Sequence, residues 1–308
     1  MTSSSLPLHS LGRTGLQVTA LCVGCAELGN MPDAFAYEVG EEQALSTVRT
    51  IFAGPINFLD TAASYGDGES ERRIGLVLRE RGGLPPGFVL ATKADRDMVS
   101  GDFSGEQMRR SVERSLRLLG LERLPLCYLH DPEYIGFEVA MAPGGPVEVL
   151  RQLQAEGQIE HLGVAGGPIE MMTRFVETDL FTVAISHNRY TLLKQDADPF
   201  WDVCRDHGVA AVNAAPYGSG ILAKGPTAYP RYMYEEVSID ILQRAYALEG
   251  LCQRYEVPLA AVALQFSLRD LRISSTVVGV SKPERLEQTL HLAQLPVPEA
   301  LWSDLAQL

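Results

Sequence analysis

Three largely apolar runs in the first half of the chain each end on a group that can hold or move a proton. Ile56 to Leu59 leads into Asp60, Phe88 to Thr92 into Lys93, and Leu126 to Leu129 into His130. Runs of this length read as buried parallel strands, and a short loop after Asp60 presents Tyr65. An acid, a phenol, an ammonium and an imidazole at successive strand ends predict catalysis. Tyr65 is the expected proton carrier. A free phenol has a pKa of about 10, so work near neutral pH calls for an adjacent cation, which Lys93 supplies if Asp60 holds its ammonium. His130 is expected to place a carbonyl oxygen or assist the proton. Singly, each residue has an ordinary role as a cap, a surface charge or a core group; the joint placement argues for chemistry.

Placing four such groups together needs consecutive strands whose carboxyl ends share one face. Strand-like segments are expected at Leu21–Gly24, before Asp60, Lys93 and His130, and at 161–165, 183–186, 209–214 and 276–280. Helices are expected between them, for example over 41–52, 69–81, 147–154 and 169–176, with stripes such as Met108, Val112, Leu116 and Leu119 closed by Gly120. Strict alternation implies a parallel sheet, and ionisable groups at consecutive strand ends favour a closed (β/α)8 TIM barrel. Residues 8–18, with Gly12 and Gly15, read as an N-terminal β-hairpin, and residues 1–308 as one domain. Asp131–Pro146 and Leu222–Ser238, the latter with Tyr229, Tyr232 and Tyr234, read as long loops walling a pocket.

Bulk properties narrow the partners. A net charge of −13 disfavours nucleic acid and anionic membranes, which demand clustered Lys and Arg. No apolar stretch approaches the roughly 18 residues of a membrane span. The polar start has no signal-peptide core, so a cytoplasmic location is expected. The five cysteines lie in apolar runs and read as reduced core thiols; Cys22 and Cys25 have redox-motif spacing but no second pair, and no metal site is expected. No oligomeric state follows from the sequence.

Gly66-Asp67-Gly68-Glu69-Ser70-Glu71 begins like a dinucleotide fingerprint but lacks its last glycine, so Glu69 and Glu71 read as helix-start acids. The Asp60-Thr-Ala-x-x-Tyr65 spacing, Thr92-Lys93 and Leu129-His130-Asp131-Pro132 resemble instead the aldo-keto reductase superfamily of nicotinamide-dependent barrels. Arg189–Leu193 followed by Ser219–Leu222 is similar to its D-threo-aldose 1-dehydrogenase branch, which includes L-fucose dehydrogenases and a pyridoxal dehydrogenase. The resemblance implies Asp60, Tyr65, Lys93 and His130 as a catalytic tetrad and a hairpin plugging the barrel floor. It implies cofactor contacts at Gly24, Asp60, His187, Asn188, Tyr217, Gly218, Ser219, Gly220, Leu222, Gly279, Ser281, Arg285 and Gln288. Ser281 and Glu284 also have capping-box spacing.

The chain departs from that pattern. Ala165-Gly166 stands where many members have Ser-Asn for the carboxamide, His187 where a Gln often sits, and Ala214 where an aromatic often stacks. Gly279 falls where NADP-preferring members place a Lys, so NAD is favoured over NADP. The implied substrate is a small-molecule carbonyl or sugar, an aldose of the L-fucose or D-threo type. The alternatives are a broad NADPH-dependent aldehyde reductase and, from another class, a nucleotide-sensing regulatory subunit.

Overall fold

The computed structural model describes residues 6–233 and 235–308; Tyr234 and the first five residues lie outside the described residues. Eight parallel strands close on themselves: β1 (Leu21–Gly24), β2 (Phe58–Asp60), β3 (Val89–Ala94), β4 (Leu124–His130), β5 (Ile159–Gly166), β6 (Val183–His187), β7 (Ala210–Ala214) and β8 (Ile273–Gly279), with β8 paired to both β7 and β1. The main helices are α1 (Glu41–Ala53), α2 (Glu69–Arg81), α3 (Gly105–Leu119), α4 (Pro146–Ala155), α5 (Ile169–Glu177), α6 (Asp198–Asp206), α7 (Ile239–Arg254), α8 (Leu259–Leu268), α9 (Pro283–Gln294) and α10 (Glu299–Leu305). The expected (β/α)8 barrel forms, preceded by the antiparallel hairpin Leu8–Ser10 and Gln17–Thr19.

Side chains alternate across a strand. Phe58, Ala91, Leu126, Tyr128, Ile185 and Val212 pack with one another inside the barrel. Their neighbours Leu59, Leu90, Cys127, Leu129, Ala184 and Ala211 belong to the separate layer beneath the helices. Counting by two along the inward set arrives at Asp60, Lys93, His130, His187 and Ala214, all at or near the carboxyl ends. The reactive groups are thus the polar layer directly above an apolar fill.

The opposite mouth is shut. Leu11 and Val18 of the hairpin region are fully buried in the interior cluster. Arg13 donates to the carbonyls of Asp179, Phe181 and His207, at the entries to β6 and β7. Among the described residues the open mouth is therefore the one at the carboxyl ends of the strands.

Several elements differ from expectation. Helix α8 has no apolar stripe to read because Leu259, Ala261, Val262, Ala263 and Leu264 are buried nearly all round it; α10 was likewise not expected. The two long connections are not plain loops. Asp131–Pro146 folds into short turns at Pro132–Tyr134 and Phe137–Ala140, and Leu222–Ser238 carries the end of a one-turn helix, Ile221–Lys224, and the paired strands Arg231–Tyr232 and Glu235–Glu236. The capping box at Ser281 is absent: Pro283 takes the first helical position and Lys282 the cap, without a side-chain bond. Glu69 and Glu71 stand in the first turn of α2 as expected, and Glu71 is in addition fully buried, accepting Thr92 Oγ1 at 2.5 Å, with burial pushing its carboxyl up to about 7. All five cysteines are buried and unpaired, as expected. Among the described residues no helix is long and apolar enough to cross a membrane.

Candidate active site

Lys93 spends all three donors at the mouth of the barrel. Its Nζ donates to Asp60 Oδ2 at 2.6 Å, to the Thr61 carbonyl at 2.8 Å and to Tyr65 Oη at 3.0 Å. Burial works against its charge, but Asp60 and Tyr65 together outweigh burial and hold the ammonium above its ordinary pKa. The loop carrying Tyr65 is pinned on both sides. The Ser64 amide donates to Asp95 Oδ2 at 2.8 Å, and Ser70 Oγ donates to the Cys25 carbonyl at 2.8 Å. Gly66, at φ +62°, lies so close to Gly29 that a Cβ would collide with the Gly29 backbone.

The expected lowering of the Tyr65 pKa does not occur in the protein alone. Burial pushes the phenol above its ordinary value, and Lys93 only partly opposes this because its charge is shared with Asp60. The phenol therefore keeps its proton at neutral pH.

His130 stands edge-on to Tyr65, ring centres 6.0 Å apart. Its Nδ1 lies 2.6 Å from Asp95 Oδ1 and its Nε2 3.7 Å from Asp131 Oδ1. Burial lowers the affinity of the ring for a proton, but Asp95 and Asp131 outweigh it, and the net shift is upward. Asp95 was missed in the sequence although its signal was present: it is the next inward position after Val89, Ala91 and Lys93.

At the ends of β5 and β6, Ala165 and Gly166 are buried and offer no polar side chain. Glu133 fills the gap; its Oε2 would lie 2.9 Å from a Cβ on Gly166, and its Oε1 accepts the Gly167 amide at 3.0 Å. His187 is partly open beside Asp131, Nε2 to Oδ1 4.0 Å, and burial lowers its pKa, which favours the neutral ring.

The ends of β7 and β8 carry the remaining expected positions. Ala215, Gly218, Ser219 and Gly220 all take positive φ. Ser219 Oγ donates to Asn188 Oδ1 at 3.2 Å, and Tyr232 Oη to the Asn188 carbonyl at 2.7 Å. Leu222 is fully buried with its amide spent on the Tyr217 carbonyl, so it holds this loop from behind. Tyr217 Oη and Arg189 Nε are buried without partners among the described residues. Gly24 pairs with Gly279 across the β1–β8 seam, and the Glu27 carboxylate occupies the space over Gly279. Arg285 reaches Gln288 at 3.3 Å on α9, and Ser281 bonds the Tyr37 hydroxyl.

A sequence model of the aldo/keto reductase family matches residues 20–308. The chain belongs to this family. It is 32% identical to a D-threo-aldose 1-dehydrogenase of a Pseudomonas species, over 95% of this chain and 94% of that one. It is 29% identical to a pyridoxal 4-dehydrogenase of Microbacterium luteolum, over 96% of both. Among solved structures, the aldo-keto reductase AKR11C1 of Bacillus halodurans, in its holo form, shares the fold with a TM-score of 0.78 at 22% identity, covering 98% of this chain and 96% of that one. This family member is an NAD(P)-dependent oxidoreductase.

Proposed function

We propose that this reductase-family chain, as one domain, is an NAD-preferring dehydrogenase of small polar aldehydes, oxidising an aldose of the D-threo or L-fucose type at its hemiacetal carbon. The observation that carries the reading is the buried Asp60–Lys93–Tyr65 contact chain, with the rings of Tyr65 and His130 6.0 Å apart at the carboxyl ends of the strands. In the oxidising direction the substrate hydroxyl passes its proton to Tyr65 in its phenolate form, which Lys93 stabilises while Asp60 holds Lys93; in the reducing direction the neutral phenol returns that proton to the substrate oxygen, and His130 orients the oxygen in both.

The strand ends fit a dinucleotide. The positive-φ loop at Gly218–Gly220 exposes backbone to close approach, and the unpartnered Tyr217 hydroxyl and Arg189 nitrogen await polar partners. Gly24, His187, Asn188, Tyr217, Gly218, Ser219, Gly220, Gly279, Ser281, Arg285 and Gln288 would hold it, with Leu222 supporting the loop. When bound, the nicotinamide supplies the hydride acceptor or donor.

Polar groups near the mouth, including Asp131, Glu133 and His187, suit a polyhydroxylated substrate, and the 32% identical aldose dehydrogenase supports the choice. A panel of reducing sugars and aldehydes with both cofactors, followed by the absorbance of reduced nicotinamide, is expected to show highest kcat/KM with an aldose. A second reading, a broad NADPH-dependent aldehyde reductase, is favoured by the exposed Met98, Val99, Tyr134 and Val139 on the loops after β3 and β4. Equal efficiency on aromatic aldehydes and sugars would establish it.

Glu27 supports NAD. Its carboxylate takes the space where a Lys at position 279 would stand, and burial raises its pKa to about 7 against the pull of Arg285. It ionises as pH rises through that value, so repulsion of a 2′-phosphate grows with pH. The preference for NAD over NADP is expected to increase from about pH 6 to about pH 8. Glu27→Gln should flatten this dependence and lower the preference about tenfold, the size of one charged contact. The ratio of kcat/KM for the two cofactors measures both effects.

A further inference from the structure

His130 is held from behind by a carboxylate outside the tetrad. Asp95 is 6% exposed, places Oδ1 2.6 Å from His130 Nδ1, and takes the Ser64 amide on its other oxygen at 2.8 Å. Its own backbone is fixed as well: the Asp95 amide donates to Ser111 Oγ at 3.0 Å, and Gln107 Nε2 donates to the Asp95 carbonyl at 3.1 Å. One carboxylate therefore joins the loop that carries Tyr65 to the ring that faces Tyr65. An ionised carboxylate only accepts, so the ring nitrogen against it must carry the proton.

We propose that Asp95 is a positioning residue, which by accepting the Nδ1 proton of His130 fixes the tautomer and presents Nε2 to the substrate oxygen. The inference rests on the reading of His130 as a substrate-facing group. The same contact favours the doubly protonated ring, in which Nε2 becomes a donor to a carbonyl oxygen. Burial disfavours ionisation of Asp95, but His130 and the Ser64 amide outweigh it and hold the carboxyl below its ordinary range, so the acceptor is charged at neutral pH.

Other groups act on the ring too. Asp60 from β2, Lys93 from β3, Tyr65 from its loop, Asp131 and Glu133 beyond β4 and His187 from β6 all face or influence it. Asp131 adds to the upward shift and Lys93 opposes it, but Asp95 is the carboxylate in hydrogen-bond contact.

Nitrogen-15 NMR of the histidine rings, with His130 assigned by its loss in His130→Gln, tests this directly. In the wild-type protein the neutral His130 ring is expected to carry its proton on Nδ1 and to titrate above the ordinary value of about 6.5. Asp95→Asn keeps an acceptor but loses the charge, so the midpoint should fall by about one unit or more. The alkaline limb of kcat/KM for carbonyl reduction should move down with it, with a loss at neutral pH of about tenfold or more. Ser111→Ala loosens the same segment without touching the carboxylate and should leave the tautomer and midpoint unchanged, which separates positioning from general loss of packing.

A proton on Nε2 in the wild-type ring, or the same midpoint in Asp95→Asn, would overturn the proposal whatever the rates. The expected spectra with an unaltered rate would support positioning by Asp95 while overturning the reactive role given to His130.

Discussion

Tyr65→Phe is expected to lower kcat by about 10²- to 10⁴-fold, the range of general acid–base contributions, with nucleotide affinity nearly unchanged. The ring keeps its place, because the loop is pinned by the Ser64–Asp95 bond and the close approach of Gly66 to Gly29. Lys93 loses one contact of three, while Asp60 and the Thr61 carbonyl still satisfy it. The stability cost is therefore about 1 kcal/mol, that of one hydrogen bond. Single-turnover rates and nucleotide titration by fluorescence measure the two quantities separately. A variant retaining half its rate would mean that Tyr65 does not carry the proton.

Lys93→Met is expected to abolish most turnover and also to destabilise the fold by about 3 to 5 kcal/mol near neutral pH. Removing one partner of a buried pair leaves Asp60 as an uncompensated charge. Burial already pushes the Asp60 carboxyl up, with Lys93 opposing, and the substitution removes that opposition. A folded-state pKa above the unfolded value of about 3.9 favours folding at low pH and loses that contribution as pH rises through the folded value. The variant should thus be less stable at neutral pH than near pH 4, measured by denaturant unfolding at both. Asp60→Asn combined with Lys93→Met should recover most of the stability and none of the activity. Residual turnover in the single variant should shift to higher pH, because the phenol loses the ammonium that opposes its upward shift.

The strand ends were legible because their chemistry breaks an apolar pattern. Asp60, Lys93 and His130 are the first ionisable groups after buried runs, and β-strand alternation places all three on the inner face. Asp95 obeys the same alternation, but it sits beyond the apolar run, where a loop is expected, so its inward placement is read only by extending the strand period past Lys93. Helix α8 was hidden for the opposite reason: buried on nearly every side, it shows no periodic stripe. The phenol pKa was misjudged because sequence shows that a cation is near but not how much of its field another anion absorbs. Glu27 and Glu133 were invisible because each occupies space left by a glycine from a different strand, Gly279 and Gly166, a relation that exists only in three dimensions.

On the proposed function, Tyr65, backed by Lys93 and Asp60, serves hydride transfer at a sugar or aldehyde carbon. Single-turnover mixing of the enzyme–NAD complex with an aldose carrying deuterium or hydrogen at C1 tests it most directly. Reduced nicotinamide is expected to form in the wild-type protein, more slowly from the deuterated sugar, and not on that timescale in Tyr65→Phe with NAD still bound. Equal rates of nicotinamide reduction in the wild-type and Tyr65→Phe proteins, or no reduction with any reducing sugar or aldehyde despite bound NAD, would contradict it.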